Sequence, residues 1–203
     1  RLWGKSILWV SGVRVAVCGR ERLDPRRPCI FMANHQSNYD IPVLLGHLPV
    51  QFRWLAKAEL FRIPLFGRAM RGAGYIPIDR KDRASAFHSL REAAEKIRAG
   101  ASIVIFPEGT RSPDGEPKPF KKGGFVLALQ ARAPVVPIGI RGTREVMPKG
   151  SLWIRPGRVT VTIGRPIDLV SGVVQTREEL MEAVRRAILE ASAACGAGDP
   201  CCD

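Results

Sequence analysis

The segment that decides the fold is 29–40, which reads Cys-Ile-Phe-Met-Ala-Asn-His-Gln-Ser-Asn-Tyr-Asp. Its first part, Cys29–Ala33, is an almost continuous apolar run, and such a run predicts a strand buried on both faces of a sheet. Polar side chains follow at once, at the strand end where ligands bind in open α/β sheets. We therefore place a candidate site at the carboxyl end of this strand.

Similar apolar runs recur along the chain and alternate with helical periodicity. Five further strands are predicted at Val13–Val17, Tyr75–Ile78, Ser102–Phe106, Val135–Ile140 and Val159–Ile163. Apolar residues spaced three and four apart predict a helix between Ala84 and Ile97, with Gly100 as its C-terminal stop. Thr176 and Glu179 form a capping box ahead of a second helix. The alternation predicts an α/β fold, a single domain with a largely parallel central sheet flanked by helices.

The charge of the chain points to an anionic partner. Its 203 residues fit one domain, and 32 Lys+Arg against 19 Asp+Glu leave a net charge of +13. Such an excess favours nucleic acid, an anionic lipid surface or a phosphorylated substrate. No stretch approaches the roughly 18 uninterrupted apolar residues of a spanning helix. The first ten residues combine two tryptophans and aliphatic side chains with Arg1 and Lys5, which fits an interfacial helix and, equally, a helix covering the core.

The first candidate pair is His35 with Asp40. If Ser37 is the N-cap of the next helix, Asp40 lies in its first turn and folds back toward His35. A carboxylate on one imidazole nitrogen fixes the tautomer and makes the other nitrogen a general base. No Ser or Cys stands in an elbow motif such as G-x-S-x-G, so the base would act on a substrate hydroxyl. The alternative is that both residues only cap the helix and bond locally.

Two other strand ends carry charge. After Ser102–Phe106 the chain reads Pro-Glu-Gly-Thr-Arg-Ser at 107–112, where Gly109 allows close approach of a ligand and Arg111 offers a planar fork for a phosphate. Glu108 is expected to accept hydrogen bonds from a polyol substrate or to orient a cation. A polar β-turn is the alternative, since Pro-Asp-Gly follows at 113–115. At 74–80 the chain reads Gly-Tyr-Ile-Pro-Ile-Asp-Arg, which places Arg80 at a strand end.

Four blocks together resemble a known family. They are Asn-His-x-x-x-x-Asp at 34–40, Gly-x-Ile-Pro-Ile-x-Arg at 74–80, Phe-Pro-Glu-Gly-Thr-Arg-Ser at 106–112 and Val-Val-Pro-Ile at 135–138. In this order they resemble the blocks of the glycerolipid acyltransferases, most closely the bacterial 1-acyl-glycerol-3-phosphate acyltransferases. The resemblance covers most of the chain, from about residue 29 to residue 140.

The resemblance implies the glycerolipid acyltransferase fold and a reaction. An acyl chain would pass from acyl-CoA or an acyl carrier protein to the sn-2 hydroxyl of 1-acyl-glycerol-3-phosphate, giving phosphatidic acid. His35 matches the base and Asp40 its orienting partner, with no acyl-enzyme, metal or other cofactor. Arg80, Arg111 and Lys57 match cations that hold the acceptor phosphate. Three residues would shape the same pocket: Glu108, Gly109 and Thr110.

From the resemblance and the composition of the N-terminus we expect a membrane-interface segment with a lead-in strand at 1–20 and a catalytic domain at 21–192. The small and polar residues at 193–203 predict a disordered tail. We expect an enzyme of phospholipid biosynthesis at the cytoplasmic face of the cell membrane, without nucleic acid as a partner. One alternative keeps the fold and changes the acceptor to glycerol-3-phosphate or another lysolipid. A distant alternative is a basic nucleic-acid-binding module, which the charge and four tryptophans permit but no helix-turn-helix, zinc-finger or RNA-recognition pattern supports.

Overall fold

The computed structural model describes residues 1–79, 82–169 and 176–194, which build one central sheet with helices on both faces. The described residues contain seven strands: β1 Val13–Cys18, β2 Ile30–Ala33, β3 Phe52–Lys57, β4 Ile76–Ile78, β5 Ser102–Ile105, β6 Val135–Arg141 and β7 Gly157–Ile163. Their order across the sheet is β1-β7-β6-β2-β5-β3-β4. β6 and β7 pair antiparallel and every other neighbouring pair is parallel.

The helices form two layers, and each layer covers its own apolar core. They are α1 Leu2–Val10, α2 Asp40–His47, α3 Phe66–Gly72, α4 Arg83–Arg98, α5 Gly123–Ala131, α6 Thr143–Val146 and α7 Arg177–Ala194. Phe31 of β2 packs in the core under α1 and α2, whereas Ile30 and Met32 pack in the core under α4, α5 and α7. Successive side chains of a strand point to opposite faces. β2 is therefore apolar throughout because both of its faces are buried.

The predicted fold class is confirmed, and so is each of the six predicted strands, with ends that differ by no more than two residues. The prediction missed β3. In this strand Phe52 and Trp54 are buried, while Arg53 between them is half-buried and Lys57 is exposed. The alternation typical of a strand is present, but it lies inside a basic stretch that reads as a solvated face.

The two predicted helices are also confirmed. α4 ends at Arg98, and Gly100 follows it with a φ of +96°, a conformation that favours glycine. At the start of α7 the Glu179 amide donates to Thr176 Oγ1 at 3.2 Å and the Thr176 amide donates to Glu179 Oε2 at 3.3 Å, which is the predicted capping box. α7 runs to Ala194, so it includes the first two residues of the predicted tail; residues 195–203 lie outside the described residues.

α1 docks on α2 through a contact between glycines. A Cβ placed on Gly4 would lie 2.7 Å from both the Gly46 amide nitrogen and the Pro42 carbonyl oxygen, so only glycine permits this approach. Leu8 of α1 is buried in the core, whereas Trp9 is 84% exposed. α1 therefore covers the core and still presents apolar side chains to solvent; its expected place at a membrane interface stays a prediction. Among the described residues no helix is both long enough and apolar enough to cross a membrane.

Candidate active site

β6, β2, β5, β3 and β4 run in the same direction, so their carboxyl ends meet at one edge of the sheet. The polar segments that follow β2 and β5 are neighbours there because these two strands pair directly. The strand pairing therefore brings together the segments around His35 and Arg111, which lie far apart in sequence.

His35 and Asp40 form the predicted pair. His35 Nδ1 and Asp40 Oδ2 are 2.7 Å apart, and the same oxygen accepts from the amides of Gln36 at 2.8 Å and Ser37 at 2.9 Å. An oxygen that already receives two N–H groups acts as an acceptor, so Nδ1 carries the proton that it shares with Asp40. Nε2 is then the nitrogen with a free lone pair, and it makes no hydrogen bond to any described residue.

The predicted N-cap role of Ser37 is wrong. α2 begins at Asp40 with Tyr39 as its N-cap residue, so the helix starts two residues later than Ser37 would place it. The Ser37 hydroxyl accepts from the Tyr39 amide at 3.0 Å and donates to the Met147 carbonyl at 2.7 Å. Its hydroxyl therefore ties the loop to the segment after α6. Asp40 still stands in the first helical turn, as predicted.

The loop after β5 forms hydrogen bonds with both the amide and the carbonyl of His35. The His35 amide donates to Glu108 Oε1 at 2.9 Å, and the His35 carbonyl accepts from the Ser112 amide at 2.8 Å. Glu108 Oε2 accepts from the Lys118 amide at 3.0 Å. Glu108 is buried, and burial raises the pKa of its carboxyl group. Both oxygens are bonded to main-chain amides, so Glu108 braces the loops, and its expected contact with a substrate stays a prediction.

Two aromatic rings that the sequence did not single out orient the imidazole. Phe106 stacks on His35 with ring centroids 3.9 Å apart and an angle of 10° between the planes. Trp54 stacks on Phe106 with centroids 5.3 Å apart. These residues follow or belong to β2, β5 and β3, which are consecutive in the sheet. The order of strands, which a single sequence does not supply, is what brings the three rings together.

Asn34, the residue before His35, fixes the end of β2 against β6. Its Nδ2 donates to the Ile140 carbonyl at 2.8 Å, and its Oδ1 accepts from the Ile140 amide at 2.7 Å. The side chain is buried and thereby satisfies two main-chain groups of the neighbouring strand. Asn34 therefore sets the position from which His35 projects.

His35 lines a cavity of about 600 Å³ whose walls are mostly apolar. The apolar lining comes from α1, α2, β3, α3 and the segments before β4 and after β5, and includes Trp3, Leu45, Trp54, Met70, Tyr75 and Phe106. Lys57, Thr110 and Arg111 add polar groups to the lining, as does Gly109, whose φ of +75° favours glycine. The cavity suits a ligand that carries both an apolar chain and an anionic group.

The cations of this cavity have no partner within the described part of the chain. Neither the Lys57 ammonium, at the end of β3, nor the Arg111 guanidinium makes a hydrogen bond or an ion pair there. A further cation that the sequence did not indicate lies close by, because Lys149 Nζ donates to the Arg111 carbonyl at 2.9 Å. Arg80 lies outside the described residues, so its role stays a prediction.

Comparison with known proteins gives a consistent set of relatives. A family model described as Acyltransferase matches residues 14–141. A chloroplastic 1-acyl-sn-glycerol-3-phosphate acyltransferase of Brassica napus is 44% identical over 169 residues, which are 82% of this chain and 48% of the relative. A 1-acyl-sn-glycerol-3-phosphate acyltransferase of Pseudomonas aeruginosa is 35% identical over 80% of this chain and 64% of its own length. The chain spans about half the length of the first curated relatives that it matches.

Among solved structures, the chain is similar to the crystal structure of the 1-acyl-sn-glycerophosphate acyltransferase from Thermotoga maritima. The TM-score is 0.82 at 34% sequence identity, over 96% of this chain and 77% of the other. The sheet and helix layers described above therefore match a solved acyltransferase fold.

Proposed function

The chain belongs to the acyltransferase family, and from this premise we propose that it acylates the sn-2 hydroxyl of 1-acyl-glycerol-3-phosphate and so produces phosphatidic acid. The acyl donor is acyl-CoA or an acyl carrier protein, and the reaction belongs to phospholipid biosynthesis. The names of the relatives support the choice of acceptor. The observation that carries the proposal is the position of His35, which is bonded to Asp40 through Nδ1 and lines an apolar cavity whose cations make no hydrogen bond or ion pair to any described residue.

In the proposed step, His35 Nε2 takes the proton of the acceptor hydroxyl while the oxygen attacks the carbonyl carbon of the thioester. A tetrahedral intermediate forms, the carbon–sulfur bond breaks, and the leaving sulfur takes the proton back from the imidazolium. Asp40 accepts the hydrogen bond from Nδ1–H throughout and stabilises the charge on the ring. A general base of this kind typically contributes about 10²–10⁴-fold to the rate. No acyl-enzyme and no cofactor are needed, because the thioester itself is the activated co-substrate.

We assign the acceptor phosphate to Arg111 and Lys57, with Arg80 as a third cation. Arg111 is suited to the task because its planar guanidinium forms paired hydrogen bonds with phosphate oxygens. Holding the phosphate fixes the sn-2 hydroxyl near His35, and orientation of this kind supplies much of an enzyme's rate. Gly109 and Thr110, which line the cavity beside Arg111, would shape the same pocket.

We also propose that α1 rests on an anionic membrane surface at the cytoplasmic face of the cell membrane. Trp9 is exposed on this helix, and Arg1 and Lys5 are exposed beside it. Tryptophan and cations are the residues that favour the headgroup region. A cation near an anionic surface contributes about 1 kcal/mol to binding. Trp3 of the same helix lines the cavity, so a lipid acceptor would pass from the membrane directly to His35.

An acyl-transfer assay tests the function. Purified protein receives labelled acyl-CoA with lysophosphatidate and glycerol-3-phosphate in parallel reactions, and a second series replaces the donor with acyl carrier protein. We expect labelled phosphatidate from lysophosphatidate and little product from glycerol-3-phosphate. Product from glycerol-3-phosphate alone would move the proposal to a different acceptor, and no product from either acceptor with either donor would overturn it.

A further inference from the structure

The loop between α6 and β7 exposes large apolar side chains that the proposed reaction does not use. Leu152 is 90% exposed and Trp153 is 82% exposed, and Ile154 beside them is also exposed. Single exposed apolar residues are ordinary, but three in succession, one of them tryptophan, form a patch typical of an interaction site.

The loop is held in a defined conformation. The Ser151 amide donates to the Pro148 carbonyl at 3.1 Å, and the Trp153 amide donates to Ser151 Oγ at 3.0 Å. The Arg155 amide closes the loop by donating to the Val146 carbonyl at 2.9 Å. These bonds satisfy main-chain groups locally while the apolar side chains point to solvent, so the exposure is a property of the fold.

The loop lies beside the end of α1. Ile154 lines a shallow cavity of about 480 Å³ together with Ile7 and Val10 of α1. Just after the helix, a Cβ placed on Gly12 would lie 3.1 Å from Pro156 Cβ. Exposed apolar residues of two neighbouring segments therefore lie at this place, and we call them together the apolar rim: Trp9, Val10, Leu152, Trp153 and Ile154.

The charges around the apolar rim favour an anionic partner. Residues 1–20 contain four Lys or Arg and residues 146–164 contain three, and neither segment contains an Asp or Glu. Arg1, Lys5, Lys149 and Arg155 are all exposed. Aromatic and aliphatic side chains flanked by these exposed cations match the headgroup region of an anionic bilayer.

We propose that the loop around Trp153 is a second membrane contact, which enters the headgroup region of an anionic bilayer alongside α1. A single helix leaves the protein free to rotate about its axis, whereas two contacts on different segments fix the face that meets the membrane. Trp3 on α1 borders the cavity of His35, so the fixed face keeps that cavity next to the bilayer. The inference concerns membrane binding and holds whichever acceptor the enzyme uses.

Vesicle sedimentation tests the contact. The variant Leu152→Ser/Trp153→Ser is mixed with vesicles of phosphatidylglycerol and phosphatidylcholine, and the bound fraction is compared with that of the unaltered protein. We expect the partition coefficient onto vesicles to fall roughly tenfold, because the two serines bury less apolar surface in the bilayer than Leu152 and Trp153. The melting temperature should stay unchanged because both side chains are exposed. The matched control is Phe87→Ser, which alters an exposed aromatic residue of α4, in the other helix layer, and is expected to bind as before.

Fluorescence locates Trp153 directly. In a Trp3→Phe/Trp9→Phe background the emission comes from Trp54 and Trp153, and a further Trp153→Phe change measures the buried Trp54 alone. We expect the difference signal to shift to the blue on anionic vesicles and to be quenched by brominated lipids. An unshifted, unquenched signal or unchanged partitioning of the serine variant would overturn the proposal. Unchanged partitioning together with loss of a dimer in ultracentrifugation would assign the surface to a second copy instead.

Discussion

The two parts of the site at the sheet edge differ in how fully their polar groups are already bonded. His35 uses its amide, its carbonyl and Nδ1 in hydrogen bonds, and its ring is stacked on Phe106. The side chains of Lys57 and Arg111 make no hydrogen bond or ion pair to any described residue. Under the proposed function, the base is therefore fixed before a ligand arrives, whereas the cations are left for the ligand to satisfy.

The fixed part includes an unfavourable feature. Asp40 is fully buried, and its Oδ1 has no hydrogen-bond partner among the described residues although Oδ2 has three. A buried unsatisfied acceptor costs about 1–3 kcal/mol of folding free energy. A residue that only capped α2 would not require such burial. The observation favours a functional pair over the alternative in which His35 and Asp40 bond locally for stability.

The largest expected effect is that of His35→Ala. Because the change removes the proposed base and leaves the cations in place, we expect the turnover number to fall by about 10²–10⁴-fold with the Michaelis constant for lysophosphatidate little changed. Steady-state kinetics with purified variant measures this. His88→Ala, at an exposed position on α4, is the control and is expected to keep full activity.

Asp40→Asn tests whether the pair acts as a unit. An amide in this buried position loses one of two equivalent acceptor oxygens and no longer stabilises a charged ring, so we expect the turnover number to fall by roughly 10²-fold. The double variant His35→Ala/Asp40→Asn should then be no slower than His35→Ala alone. Additive losses in the double variant would show that Asp40 acts independently of His35.

The next effect, on binding, is expected from Arg111→Ala. A lost charge-assisted hydrogen bond to phosphate is worth about 1.5–3 kcal/mol, so the Michaelis constant for lysophosphatidate should rise roughly tenfold or more. The turnover number should change far less than in His35→Ala. Arg186→Ala, at an exposed position of α7, serves as the control for loss of a positive charge. An unchanged Michaelis constant would remove Arg111 from the phosphate site.

The fold and the His35–Asp40 pair were predictable from sequence because they depend on short spacings. Apolar periodicity gave six of the seven strands among the described residues, and five positions separate the two members of the pair. The error at Ser37 has a long-range cause: its hydroxyl donates to Met147, a residue 110 positions away.

The remaining parts of the site could be predicted only with knowledge of the order of the strands in the sheet. Glu108 braces His35 across 73 positions. Phe106 stacks on His35, and Trp54 on Phe106, only because β2, β5 and β3 are neighbours. Nothing in the local sequence around Glu108 distinguishes a brace from a substrate ligand. The positions of Lys57 and Arg111 in the cavity, in contrast, follow from their places at the end of β3 and after β5, while their role toward a phosphate stays a prediction.

The smallest expected effect is that of changing Glu108, the residue that accepts a hydrogen bond from the His35 amide. Burial raises the pKa of this carboxyl above its ordinary value of 4.5, so the folded protein binds a proton that the unfolded chain has released. The contribution of this proton to the free energy of unfolding is fully present below pH 4.5 and is lost as the pH rises through the raised pKa. In Glu108→Gln this loss should be absent. Denaturant unfolding of both proteins across that pH window measures the difference, and parallel pH profiles would contradict the assignment.

The most direct test compares His35, which hydrogen bonds hold in place, with Arg111, which we propose binds the acceptor phosphate. It is a titration of the acceptor carried out on three proteins in parallel. Unaltered protein, His35→Ala and Arg111→Ala each receive labelled acyl-CoA and increasing lysophosphatidate, with thermal melting recorded for all three. We predict that His35→Ala loses the maximal rate while the lysophosphatidate concentration at half-maximal rate stays unchanged. Arg111→Ala should keep most of the maximal rate and need a higher lysophosphatidate concentration to reach half of it. Near-normal transfer by a His35→Ala protein that melts like the unaltered one would contradict the account.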